Sequence, residues 1–201
     1  MLWRWGEELK PTLLVMIKAP RIGRGKSRLA AEIGRVEAWR INRALHRHTF
    51  HIACDDPRWR TIMCVAPDRS VRAALPGIWP AHTQRAGQGT GDLGERLARA
   101  LGGRRNVAVI GADCPELRRR HIASAFGALK RKAFVLGPAV DGGFWLLAAR
   151  RGRDAAMAMA GVRWSTRHAA RDVIRNLGAA NVALIDMLRD IDTLSDLRRG
   201  L

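Results

Sequence analysis

Apolar positions along this chain gather in six short runs, at residues 13–17, 61–66, 107–111, 134–136, 144–148 and 182–185. Their β-branched and branched side chains suit buried strands. Between several of these runs, at residues 38–53, 92–101, 121–129 and 166–177, apolar positions recur with the spacing of an amphipathic helix. Strands alternating with helices imply a mostly parallel sheet with helices on both faces, a three-layer α/β/α arrangement. Ligands of such sheets sit outside the carboxyl ends of the strands. One connection breaks the alternation. The link Gly137-Pro-Ala-Val-Asp-Gly-Gly143 is too short for a helix, so the runs on either side of it predict a hairpin or an extended excursion. Trp39, Trp59 and Trp79 are evenly spaced, but their neighbours do not repeat.

A length of 201 residues fits one domain over 1–201, and 47% hydrophobic residues can fill a core. The net charge of +18 attracts polyanions, whether nucleic acid, acidic lipid heads or phosphorylated small molecules. The arginines are nevertheless scattered from Arg4 to Arg199 in short runs, so charge alone does not select nucleic acid. Cys54, Cys64 and Cys114 are odd in number and lack Cys-x-x-Cys spacing, which supports neither a disulfide framework nor a structural zinc site. The first residues, with Glu7 and Glu8 after Trp3 and Trp5, lack signal-peptide form, and no run approaches the ~20 apolar residues of a spanning helix. A cytoplasmic, reduced location without membrane contact is the expectation.

The segment Lys18-Ala-Pro-Arg-Ile-Gly-Arg-Gly-Lys-Ser-Arg-Leu29 follows the first strand and leads into a helix. Cations and exposed backbone N–H groups can converge there on a polyphosphate such as a nucleotide; a basic surface loop that happens to carry glycine is the plainer reading. Asp113 ends the buried run 107–111, where it suits either a bound Mg²⁺ facing phosphates or an Asx turn before Pro115. Asp141-Gly142-Gly143 brings a second carboxylate and permissive backbone, with Trp145 as an apolar wall, although Asp-Gly is also a common turn. In Gly87-Gln-Gly-Thr-Gly-Asp-Leu-Gly, Asp92 suits a helix cap and Gln88 has no evident structural role. Asp192 suits a metal shell or a solvated turn, and Thr193-x-x-Asp196 a cap for a last helix. Arg163-Trp164-Ser165-Thr166 reads as a helix start that could also touch a phosphorylated substrate. The six histidines lack metal spacing, and no Gly-x-Ser-x-Gly occurs.

Gly25-Lys26-Ser27 invites comparison with a P-loop NTPase, but Pro20 stands where that loop needs its first glycine. A better match is an ordered set: Ile17-Lys-Ala-Pro-x-x-Gly-x-x-Lys-Ser-Arg-Leu, Gly91-Asp-Leu-Gly-x-Arg-Leu, Gly111-x-Asp-x-Pro-x-Leu, Leu136-Gly-Pro-x-x-Asp-Gly-Gly-Phe-Trp-Leu, Trp164-Ser-Thr and Asp190-Ile-Asp-Thr-x-x-Asp-Leu. This set resembles an uncharacterised bacterial family of glycosyltransferase-A fold within the nucleotide-diphospho-sugar transferase superfamily, some of whose members are tied to arsenosugar biosynthesis. The similarity extends to phospholactate guanylyltransferase and, more loosely, to molybdenum-cofactor guanylyltransferase.

The resemblance implies a Mg²⁺- or Mn²⁺-dependent nucleotidyl- or glycosyltransferase that takes a nucleotide or nucleotide sugar and a separate acceptor. Lys26, Asp113 and Asp141 would be catalytic, with Asp113 and Asp192 holding the metal. Lys18, Arg21, Gly23, Lys26, Arg28, Gln88, Gly91, Asp92, Gly142, Gly143, Trp164 and Ser165 would bind the nucleotide. Ser27 stands where the family has Thr and Phe144 where it has Tyr. The competing class, a basic nucleic-acid-binding protein, requires a contiguous basic stripe. The transferase reading requires that the first basic loop and Asp113 meet across one cleft.

Overall fold

The computed structural model describes residues 10–199, so the stretch bearing Trp3, Trp5, Glu7 and Glu8 lies outside it. The chain order is β1 (Thr12–Lys18), α1 (Ser27–Ile33), α2 (Arg35–Ala53), β2 (Arg60–Ala66), β3 (Gln84–Gly87), α3 (Leu93–Leu101), β4 (Arg105–Ile110), α4 (Arg119–Ala128), β5 (Phe134–Pro138), β6 (Phe144–Arg151), α5 (Gly152–Met157), α6 (Ala169–Leu177), β7 (Val182–Leu184) and α7 (Leu194–Arg199). The strands form one sheet in the order β3-β2-β1-β4-β6-β5-β7. All neighbouring pairs are parallel except those made by β6, which runs against both β4 and β5. The expected three-layer fold and the hairpin are both present.

Side chains alternate across a strand, so β1 feeds two cores. Leu13 and Val15 pack with Phe50 of α2 and Ile122 of α4 on one face. Leu14 packs with Leu97 and Leu101 of α3, Ala155 of α5 and Val173 of α6 on the other. Burying each such leucine stabilises the fold by about 2 kcal/mol. β1 and β4 lie side by side and parallel, so Lys18 and the segment from Gly111 to Asp113 emerge at the same rim.

Three details depart from the sequence expectation. β3 is a four-residue edge strand, Gln-Arg-Ala-Gly, with no apolar run to announce it. The helix expected from 166 starts instead at Ala169. Before it Thr166 makes a local turn, its hydroxyl donating to the Arg163 carbonyl at 2.8 Å and accepting from the His168 N–H at 3.2 Å. α5 begins without any loop after β6, because Gly152 lets the chain pass close to α3: a Cβ there would lie 2.0 Å from the Leu101 carbonyl oxygen. Gly152→Ala is therefore expected to cost about 2 kcal/mol by overpacking. In a chain of this size that lowers the thermal midpoint by about 5 °C, measurable by differential scanning calorimetry.

Candidate active site

Beyond Lys18 the chain is pinned before it turns back. The Ala19 N–H donates to the Ala66 carbonyl at 2.8 Å, and the Trp39 indole N–H to the Pro20 carbonyl at 3.2 Å. A tight turn closed by Arg24 N–H to the Arg21 carbonyl follows at 2.9 Å, with Gly23 at φ 76°. Lys26 then adopts φ 49°, the left-handed region that costs a side-chain-bearing residue about 1 kcal/mol or more. The conformation is held by what the side chain reaches. Its ammonium lies 2.6 Å from Asp113 Oδ1 and 3.0 Å from Asp192 Oδ1, donates also to the Ile191 carbonyl, and is only 5% exposed. The Ile191 N–H in turn donates to the Asp113 carbonyl at 3.0 Å, which docks the Asp192 segment on the end of β4. Burial alone would lower the Lys26 pKa, but the charges of Asp113 and Asp192 outweigh it and hold the group above its ordinary value.

This meeting of the first loop with both carboxylates forms the centre of a cavity of about 470 Å³. Lys18, Arg28, Gln88, Asp141, Gly143, Trp164 and Ser165 also line it. Arg21, Gly23, Gly91, Asp92 and Gly142 do not touch it. Arg21 and Gly23 form the exposed turn just described. Asp92 caps α3, accepting from the Glu95 N–H at 2.8 Å while Glu95 reciprocates at 2.8 Å. Gly142, at φ 87°, fits against the Arg167 carbonyl, 2.3 Å from where a Cβ would stand, and so shapes the loop from below. Gln88 also holds the framework, since its amide donates to the Ile17 carbonyl at 2.9 Å and the Cys64 carbonyl at 2.7 Å, tying the ends of β1 and β2 together. Asp141 closes the expected turn onto the Gly143 N–H at 2.8 Å.

The side of the cavity under α3 and α6 is apolar and aromatic. Leu93, Phe144 and Trp164 line it, the two rings meeting edge-on at 6.2 Å. Gly94 of α3 makes room for the Trp164 indole, whose Nε1 lies 2.6 Å from where a Cβ would be. Arg163 is not available to a substrate, because its guanidinium grips the buried Asp172 carboxylate through two contacts of 2.8 Å. That pairing holds the Asp172 carboxyl well below its usual range and fixes the Trp164 segment on α6.

The sequence reading missed Asn42, His46 and Asp190, all of which line the cavity. Asp190 is pushed up to about 6, first by burial and then by the neighbouring Asp141 charge. Asn42 and His46 sit on the buried stripe of α2 with Ala38, Leu45 and Phe50. Polar residues on successive turns of one buried helix face, Asn42, His46 and Thr49, are the signal that could have found them. Burial pushes the His46 pKa down from 6.5 to about 4. Between those values the unfolded chain binds a proton that the folded protein refuses, so stability is complete above pH 6.5 and falls on acidification, by up to about 3 kcal/mol. Urea unfolding at pH 7 and pH 4.5 is expected to give a smaller loss for His46→Leu than for the wild-type protein.

Asp113 and Asp192 offer hard oxygen donors, the kind Mg²⁺ and Mn²⁺ select. Among the described residues no group of three or more His, Cys, Asp or Glu side chains forms a metal cage. Two carboxylates are what Mg²⁺ takes from a protein when phosphate oxygens and waters complete its shell. Cys114 lines the same wall, but burial raises its thiol far above neutrality, which disfavours the nucleophilic thiolate.

Residues 49–166 match the profile of a family described as an uncharacterized protein conserved in bacteria, DUF2064. The chain belongs to the DUF2064 family. No curated protein matches this DUF2064 chain. Among solved structures it resembles a protein from Desulfovibrio desulfuricans G20 provisionally named a nucleotide-diphospho-sugar transferase, with TM-score 0.83 and 24% identity, covering 94% of this chain and 85% of that one. It also resembles 4-diphosphocytidyl-2C-methyl-D-erythritol synthase from Anaerococcus prevotii DSM 20548, with TM-score 0.62 and 8% identity, over 95% and 94% of the two chains. A third likeness is to glucosyl-3-phosphoglycerate synthase from Mycobacterium tuberculosis, solved with Mn²⁺, UDP and glucosyl-3-phosphoglycerate, with TM-score 0.51 and 13% identity over 90% and 71%. The DUF2064 chain thus has the glycosyltransferase-A-like fold shared by nucleotidyl- and nucleotide-sugar transferases. No helix among its described residues is long and apolar enough to cross a membrane.

Proposed function

We propose that this protein is a divalent-metal-dependent transferase that moves a nucleotidyl or glycosyl group from a nucleoside triphosphate or nucleotide sugar to an acceptor. The observation that carries the reading is the convergence of Lys26, Asp113 and Asp192 within 3.0 Å in a cavity at the carboxyl rim of the sheet. Asp113 and Asp192 would hold Mg²⁺ or Mn²⁺, which when bound supplies charge neutralisation at the leaving group, pyrophosphate in nucleotidyl transfer and a nucleoside diphosphate in glycosyl transfer. Lys18, Lys26 and Arg28 add fixed positive charge where negative charge develops in the transition state. Asp141 and Gly143 also line the cavity and would orient the acceptor. Trp164, Phe144 and Leu93 offer the flat apolar surface on which a nucleobase stacks. No side-chain nucleophile is required, which fits the buried and protonated state of Cys114.

Calorimetric titration with a panel of nucleoside triphosphates and nucleotide sugars, with and without Mg²⁺ or Mn²⁺, tests the reading. At least one ligand is expected to bind only with the ion. Ion-independent binding throughout, together with salt-sensitive binding of duplex or single-stranded nucleic acid, favours the competing class.

A further inference from the structure

Asn42 and His46 occupy successive turns of α2, 7% and 3% exposed, and both face the cavity that holds Lys26 and Asp113. Among the described residues the Trp79 indole N–H donates to His46 Nδ1 at 3.4 Å. An indole can only donate, so Nδ1 is the acceptor and the neutral ring carries its proton on Nε2. Neither Nε2–H nor the Asn42 amide meets a hydrogen-bonding partner among the described residues, and neither is sealed from solvent, so both open onto the cavity. Polar groups that open onto a cavity from a largely buried helix face are free to bond what occupies it, so the pair suits a ligand that satisfies both.

The chemistry of the pair narrows that ligand. His46 Nε2–H donates only, and the Asn42 amide both donates and accepts. A phosphate oxygen accepts only and would leave the Asn42 carbonyl oxygen unmatched. A sugar hydroxyl accepts from His46 and donates to Asn42 through one atom. The nucleobase has its own surface at Trp164 and Phe144, under α3 and α6 on the other face of the sheet.

We propose that Asn42 and His46 form a neutral subsite that recognises a sugar hydroxyl of the substrate and sets specificity for it. The inference rests on the transferase reading, since it places that sugar next to the diphosphate held by Lys26. The hydroxyl belongs either to the ribose or to the sugar carried on the diphosphate, and the two are separable by experiment.

Binding is measured by calorimetry with Mn²⁺ for ribonucleoside and deoxyribonucleoside triphosphates, for nucleotide sugars and the matching nucleoside diphosphates, and for inorganic pyrophosphate, which has no hydroxyls. The wild-type protein is expected to prefer the hydroxyl-bearing member of one pair by about tenfold, the size of one neutral hydrogen bond. Preference within the first pair identifies the ribose, and within the second the carried sugar. His46→Leu and Asn42→Leu are each expected to abolish that preference, His46→Gln to restore part of it by keeping a donor, and all three to leave pyrophosphate affinity unchanged. If His46→Leu fails to fold, Asn42→Leu and His46→Gln carry the test. Variants that keep the preference, or a wild-type protein that binds pyrophosphate and nucleotides without any preference, overturn the subsite alone. A wild-type protein that binds neither pyrophosphate nor nucleotide with the ion overturns the transferase reading and the subsite with it.

Discussion

Replacing Lys26 with methionine is expected to tighten, not weaken, the binding of Mn²⁺ in the absence of nucleotide, by about tenfold. The reason is positional. The Lys26 ammonium pairs with Asp113 Oδ1 at 2.6 Å and Asp192 Oδ1 at 3.0 Å, the two carboxylates that would hold the ion. Ammonium and ion would therefore compete for the same carboxylates, and methionine fills the volume of the side chain without its charge. With the ion held there, the ammonium would be released to the phosphates of the substrate. The same substitution removes that phosphate contact, so turnover is expected to fall about 10²- to 10³-fold even as the bare ion binds better. Titration of free Mn²⁺ followed by electron paramagnetic resonance reads the first effect directly. Unchanged or weaker Mn²⁺ binding by Lys26→Met shows that the two cations occupy different places.

Asp113→Asn is expected to have the opposite effect on the ion and the larger effect on the reaction. It removes the carboxylate nearest to Lys26 and one of two hard oxygen donors, so metal-dependent nucleotide binding is lost and turnover falls about 10³-fold or more. Asp192→Asn, acting on the longer 3.0 Å contact, is expected to cost less. The melting temperature separates these effects from unfolding, because the Asp113 side chain is half exposed and asparagine keeps its size. Retention of ion-dependent nucleotide binding by Asp113→Asn removes Asp113 from the metal shell.

Most of the site was legible because its residues hang on features that leave a strong local signal. The apolar runs around Leu14 and Val109 mark strands that must be buried, and parallel strands deliver their following residues to a common rim. The glycines and lysines after the first run, and Asp113 after the fourth strand, take their meaning from that rim. Asp192 is harder, since nothing near it indicates that the Ile191 backbone docks on Asp113. That contact is fixed by tertiary packing of Ile191 against Leu29, Ala38 and Leu45. Asn42 and His46 escaped because their helix reads as an ordinary amphipathic one, in which polar side chains on the buried stripe, Thr49 among them, weaken the pattern without announcing a cavity. Gly91 and Asp92 have a structural part that the sequence also offered. Their motif is real, but it serves to cap α3 and, through Gly94, to seat Trp164.

The reversed strand β6 has a further consequence. Because it runs against β4 and β5, the rim beside Asp141 is built by a hairpin turn, where an all-parallel sheet would place a rigid crossover helix. Turns accept insertions and new side chains far more readily than helices packed on a sheet. The Asp141 side of the cavity can therefore diversify during evolution while the side built from the ends of β1 and β4 stays as it is.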